Sequence, residues 1–323
     1  MVHIFGTNKS IDFKAPRLFT SYFCMLLVLF LMILAAELFG EKEIIFPEIA
    51  ALSVGCFIAP KLAWSTSYVR MLACISICAI LGVLIVIFVP LPLWVQFVLA
   101  FMLGQLILFF SRTSFAPMIS AISLPVLVQT RGAIYIVAAF FLTLVVILLR
   151  LLLEKRGAKP VEAYSPVNVD KKEYFTGFAF RSILVLFIAF LCIRFDVKFC
   201  VAPPLLVAFT ELTNKKSVAL SRWMSVVLLV TLCAFAGAVS RYILCMLFGF
   251  PLWSAVVPIC LYIILFVKFF CLLLPPAAAM GILALLIPED CVIMYPLEVF
   301  AGILVLTLLA VIYRKFFVSR IFK

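Results

Sequence analysis

The chain has 323 residues, 67% of them hydrophobic and only 12% charged, with a mean hydropathy of +1.34 and a formal net charge of +12. A soluble domain carries roughly 45–50% apolar and 25% charged residues, so the balance excludes a water-soluble globule and indicates an all-α, polytopic membrane protein embedded in a lipid bilayer. No long polar insert leaves room for a catalytic domain. A single histidine, His3, and eleven cysteines without a CxxC supply no nucleophile triad, metal set or cofactor motif, so neither an enzyme nor a cofactor protein is expected.

Cut where charges and turn residues fall, the apolar stretches run 18–39, 44–60, 67–89, 93–111, 114–130 and 132–153, then 178–195, 199–213, 222–247, 251–270, 271–288 and 292–313. The first, Leu18 to Phe39, is long enough to span and lacks a small-residue cleavage site, so it reads as an uncleaved helix. Others, such as 44–60 and 199–213, fall short of the roughly 20 residues that cross about 30 Å of hydrocarbon, and are expected to be tilted, broken or partly re-entrant. Between the two sets of six lies "EKRGAKPVEAYSPVNVDKKEYFTG", Glu154 to Gly177. This polar linker divides the chain into a first transmembrane repeat, 1–153, and a second, 178–323.

If all twelve stretches cross, one side receives every basic residue except Lys42, Arg131, Arg194, Lys198 and Arg241, which leaves twenty-one of the 26 there. Such a split follows the positive-inside rule and places the linker and both termini in the cytoplasm of a cell (inner) membrane protein. The positive charge is then a topology signal, and no nucleic-acid partner is expected.

The two sets also resemble one another. "FPEIAALSVGCFIAPK" pairs with "APPLLVAFTELTNKK", and each precedes an arginine, Arg70 or Arg222, that opens a long helix. "PLW" recurs at Pro92 and Pro251, and "FAPMISAISLPVLVQT" pairs with "LPPAAAMGILALLIPED". Two units of six crossings have the same orientation and are related by an axis along the membrane normal, an architecture found in transporters.

Pro47, Pro117, Pro203-Pro204 and Pro275-Pro276 each read as the start of a helix inside the membrane, because proline is accommodated where the missing N–H has no partner anyway. The small residues Ala277 and Ala278 permit close approach, and helix starts at depth suit a small anionic solute, so the four starts are expected to frame a site between the repeats. Among ionisable residues, Glu48 beside Pro47 is a candidate for that site, with an interfacial position as the alternative for it and for Glu298. Glu211 is placed to pair with Lys215, and Arg70 and Arg222 to snorkel. Arg131 lies on the side that otherwise avoids basic residues, with Ser120, Ser123, Gln129 and Thr130 as a polar stripe beside it. Ala310, on the last helix, is expected to face lipid.

The stretch "LPPAAAMGILALLIPEDCVIMYPLEVFAGILVLTLLAVIYR", with Phe199 to Tyr242 before it, resembles the core of the HPP family of integral membrane proteins. In that family a Pro-Pro-small motif opens a helix ahead of a final helix containing proline and glycine. The resemblance implies transport of a small anion such as nitrite, but the histidine that names the family is replaced by Leu274, and by Phe115 in the first half, so no imidazole role carries over. "FPEIAALSVGCFIAPKLAWSTSYVRMLACISICAILGVL" is similar instead to the start of fusaric-acid-resistance and aromatic-acid-exporter bundles. The expected function is a transporter or channel for a small anion. An exporter of aromatic or organic acids and a non-transporting scaffold or assembly protein are the alternatives, and a homo-oligomer is compatible with each.

Overall fold

The computed structural model describes residues 16–168, 170–215 and 217–315. His3 and the rest of the N-terminal tail, Lys216, Arg320 and Lys323 lie outside the described residues. Twelve α-helices follow in order: α1 (Pro16–Leu38), α2 (Glu48–Ser53), α3 (Tyr68–Phe88), α4 (Leu93–Phe110), α5 (Pro117–Val128), α6 (Ala133–Lys155), α7 (Lys171–Arg194), α8 (Pro203–Leu212), α9 (Trp223–Arg241), α10 (Val256–Phe270), α11 (Pro275–Leu283) and α12 (Tyr295–Tyr313), with no strand among the described residues.

These helices fall into two classes. Eight, counting the turns that flank α9 and α10, are long and apolar enough to cross a membrane, which makes this a multi-pass membrane protein. The other four, α2, α5, α8 and α11, are short, and apart from Val128 and Glu211 every one of their residues is buried. A helix that is apolar on all sides must lie inside protein or lipid, and these lie inside protein. Prolines open α5, α8 and α11 in the first turn. Pro47 takes the equivalent place ahead of α2, which loosens into a π-helical turn over Val54–Ile58.

The segment between α6 and α7 marks one end of the bundle. Its Glu162 and Ser165 bond Leu62 and Ser65 after α2, and Val167 and Tyr164 both donate to the carbonyl of Arg112 after α4. At the opposite, far end Glu37 accepts the N–H groups of Leu252 and Trp253, and Gln129 donates to Gln96. Each short helix leads from one end toward the other: α2 and α8 run from the far end to the linker end, and α5 and α11 run back. The linker itself is shorter than its polarity suggests. Asp170 accepts the N–H groups of Lys172 and Glu173 and so starts α7 within the polar run, seven residues ahead of the apolar stretch.

The same contacts occur twice along the chain. Phe46 meets Tyr135 edge-on at 5.6 Å, and Phe199 meets Tyr295 at 5.6 Å. The two tyrosine hydroxyls donate to main-chain carbonyls of Ala121 and Met280, at 2.9 and 2.7 Å. Trp94 packs on Phe190, and Trp253 on Phe30. Arg112 and Cys271 both end their helices in the left-handed region. Across the middle of the molecule, α4 packs on α7 as α10 packs on α1, and α5 on α8 as α11 on α2.

Arg70 and Arg222 do more than reach for solvent. Arg70 donates to the Ser111 carbonyl at 2.6 Å and Arg222 to those of Phe270 and Cys271, so each ties the start of one long helix to the carbonyl end of the next.

Candidate functional site

The helix starts singled out by proline separate into two pairs. Pro47, Glu48, Pro203 and Pro204 sit toward the far end. Pro117, Pro275, Pro276, Ala277 and Ala278 sit toward the linker end, because α2 and α8 run against α5 and α11. The N–H of Ala277 is taken by the Leu274 carbonyl at 3.0 Å, and Ala278 is packed with 1% of its surface exposed. Arg131 is exposed, whereas Ser120 and Ser123 turn inward, Ser123 to the Ile119 carbonyl and Ser120 to Glu48. The two serines of the stripe therefore do not join the arginine, while Gln129 and Thr130 lie at the far end beside it. One further expectation is corrected by burial: Ala310 faces the core, fully buried, and not lipid; Glu48 is 1% exposed.

A cavity of about 700 Å³ opens at the linker end. It lies between the α4–α5 turn of the first half and α7, α8 and α12 of the second, and the residues at the start of α5, Ser114 and Ala116, form part of its wall. Arg181 on α7 is its central cation. Although 6% exposed, Arg181 donates to Gln105 at 2.5 Å and to Thr213 at 3.2 Å, with its guanidinium 5.8 Å from the Tyr174 ring. Gln105 is itself fully buried, and the Tyr174 hydroxyl donates to its carbonyl. Arg112, Lys171 and Lys215 add positive charge to the rim, opposed by Glu173 and Glu211. Glu211 accepts the indole N–H of Trp64 at 3.0 Å, which pins the loop after α2 to the second half.

Arg181 and Gln105 escaped the sequence reading, although both are strongly polar residues within apolar runs, a signal that usually marks function. They are 76 residues apart, and only the packing of α4 on α7 joins them. The equivalent interface, α10 on α1, is apolar there. Ile264 stands as far before Cys271 as Gln105 does before Arg112, and Met25 as far before the left-handed Gly40 as Arg181 does before the left-handed Asp196.

A second cavity, about 370 Å³, lies at the far end between both halves. Lys42 and Lys198 stand at it, with Gln129, Thr130, Tyr135 and Phe199 among its lining.

Other buried cations have a structural task. Arg150, fully buried, donates to the Cys56 carbonyl at 2.6 Å, to Pro160 and to Glu154, while Lys159 donates to the Ala59 carbonyl at 2.8 Å. Together they satisfy the carbonyl end of α2 and its π-helical turn. Arg241 does the same for α11 through Ala284 and Ile287. A helix ending inside protein needs such donors, and cations suit its negative pole.

Burial pushes the Lys159 ammonium down to about 8 from its ordinary 10.5. Between those two values the unfolded chain binds the extra proton, so stability should rise with pH from about 8 to 10.5. In melting experiments the wild-type protein should gain on Lys159→Gln across that window. Parallel curves would show that the ammonium is not confined.

Comparison with protein-family models, with curated proteins and with solved structures gave no match. The HPP-like pattern rests on its residues alone.

Proposed function

We propose that this chain carries a small anion across a membrane, between two six-helix halves that repeat one architecture in the same orientation. The recurring aromatic, arginine and tyrosine contacts support the repeat, 1–153 and 178–323, and the alternation of helix direction supports twelve crossings, four of them short. The charge asymmetry supports a cytoplasmic linker and cytoplasmic termini, which makes the linker-end cavity the inward-facing one. The observation that carries the reading is Arg181, a buried guanidinium held by Gln105 and Thr213 on the wall of a large cavity between the halves.

A scaffold whose helices only pack has no use for a polar set at one of two equivalent interfaces when the other is filled by apolar side chains. An anion in the cavity meets a cation already positioned by neutral partners, so little ordering is left to be done on binding.

The test is flux. Liposomes containing the purified protein should take up nitrite or chloride faster than empty liposomes. Arg181→Gln should lower that uptake roughly 10- to 100-fold, the equivalent of about 1.5–3 kcal/mol for a hydrogen bond to a charged group. Melting temperature is followed in parallel, because a folded Arg181→Gln protein with undiminished flux overturns the role of Arg181. A wild-type protein that moves neither anion counts against transport itself.

A further inference from the structure

The most unusual buried group outside the Arg181 cavity is the carboxyl of Glu48. It lies at the first residue of α2 with 1% of its surface exposed. One oxygen accepts from Ser120 on α5, and the other, Oε2, has no partner.

Among the described residues its surroundings hold no compensating cation. On α6, Tyr135 is committed to the Ala121 carbonyl, and Cys78 of α3 lies beyond it. The π-helical turn carries Cys56 at the opposite end of α2, beside Arg150, whose guanidinium is engaged there and with Glu154. On α1, Glu37 is engaged at the far end by Leu252 and Trp253. Neither α11, which packs on α2 from the other half, nor α5 carries a titratable residue.

Nor does the architecture require an acid at this place. Taking the Pro203-Pro204 start of α8 and Met280 as the counterparts of Pro47 and Ala121, Glu48 corresponds to Pro204 or Leu205 and Ser120 to Ala279, all buried and apolar. The second half builds the same arrangement without the polar pair. The far-end cavity reaches toward the pair: Ile45, three residues before Glu48, Leu124, one turn beyond Ser120 on α5, and Tyr135 of α6 line it.

We propose that Glu48 is the proton-binding residue of the carrier, taking up one proton from the far-end cavity with each anion. The inference rests on the transport reading above and specifies its coupling ion. The carboxylate accepts a proton from hydronium in the cavity, forming one O–H bond and leaving water. The same bond breaks when the proton leaves to water at the linker end. A proton needs no further ligand at this buried carboxylate: it cancels the charge and turns the orphan oxygen into a donor. Proton and monovalent anion together cross with no net charge, which removes most of the cost of moving an ion through an apolar interior. Because α2 packs on α11, movement of one half against the other changes what surrounds Glu48, which gives uptake and release different surroundings.

Two measurements test this on the full-length protein in liposomes. Infrared difference spectra of wild type minus Glu48→Gln should contain the carbonyl stretch of a protonated carboxylic acid that decreases reversibly on raising the pH, and Ser120→Ala should shift its frequency. Nitrite uptake by wild type should be accelerated several-fold by an inward proton gradient, and that acceleration should be lost in Glu48→Gln while nitrite–nitrite exchange persists. A pH-invariant spectrum at that stretch, or a Glu48→Gln protein that still responds to the gradient, overturns the proposal. The infrared arm decides it without transport, so absent flux with a titrating band counts against the carrier and not against the proton site. Should Glu48→Gln fail to fold, wild type minus Ser120→Ala must show the pH-dependent frequency shift, and its absence is equally decisive against Glu48.

Discussion

Arg150→Met is expected to destabilise the protein by about 3–5 kcal/mol, the range for removing one partner of a buried ion pair. Arg150 is fully buried, and its 2.9 Å bond to Glu154 is accompanied by bonds to the Cys56 and Pro160 carbonyls. Methionine fills much of the volume and supplies none of the donors. Glu154 would keep only the Tyr68 hydroxyl, and the carbonyl end of the π-helical turn would lose its guanidinium. The double variant Arg150→Met with Glu154→Gln removes both charges and should recover a good part of the loss, since the cost lies mainly in the uncompensated carboxylate. Denaturation in lipid or detergent measures both proteins. If the double variant is as unstable as the single one, the cap on α2 matters more than the ion pair.

The second large effect is expected at Gly237. A Cβ added there would overlap the carbonyl oxygen of Gly281 and come within 2.9 Å of the Ala284 side chain, so α9 and α11 touch backbone to backbone. Gly82 is its counterpart between α3 and α5, where an added Cβ would lie 2.5 Å from the Ile122 carbonyl. Small residues allow helices in membranes this closeness, which is where much of their packing energy arises. Gly237→Leu must push α11 away and should cost at least the upper part of the roughly 1–3 kcal/mol usual for overpacking. The expected observation is loss of the monodisperse folded species on size-exclusion chromatography. Normal elution and melting of Gly237→Leu would mean that the two helices are not in contact.

The membrane class was legible because it depends only on composition, and the eight long helices because hydropathy runs set their length. The short helices were legible too, as proline starts followed by stretches too brief to span. The start of α7 was hidden because Asp170 caps a first turn of Lys171, Lys172 and Glu173, and hydropathy registers only the apolar turns that follow. Ala310 was misplaced because an alanine among leucines and valines carries no mark of the face it occupies. The pairing of Glu211 with Trp64 and of Arg181 with Gln105 depends on which helices lie side by side, and no local pattern encodes that. What the sequence did offer was the observation that charges and amides stand within most of the apolar runs. The reading weighed Glu48 on that ground, took Arg131 for the side of the membrane it falls on, and passed over Arg181.

The crossed packing of the halves also bears on how the chain is made. Helix α2 packs across the halves on α11 and α5 on α8, besides the first-half helices that each already rests on, so the first half leaves the ribosome with one side of each short helix uncovered. Their closing contacts are of high sequence separation, and the entropy of closing such long loops is met only after the second half emerges. Insertion of the long helices can proceed in order, and the carbonyl end of α2 is capped from α6 and the linker, but the side of α2 that meets α11 is closed only when the second half arrives. The two halves are therefore closed against each other last, and the faces of α2 and α5 that meet the second half are the ones most exposed to error while synthesis is under way.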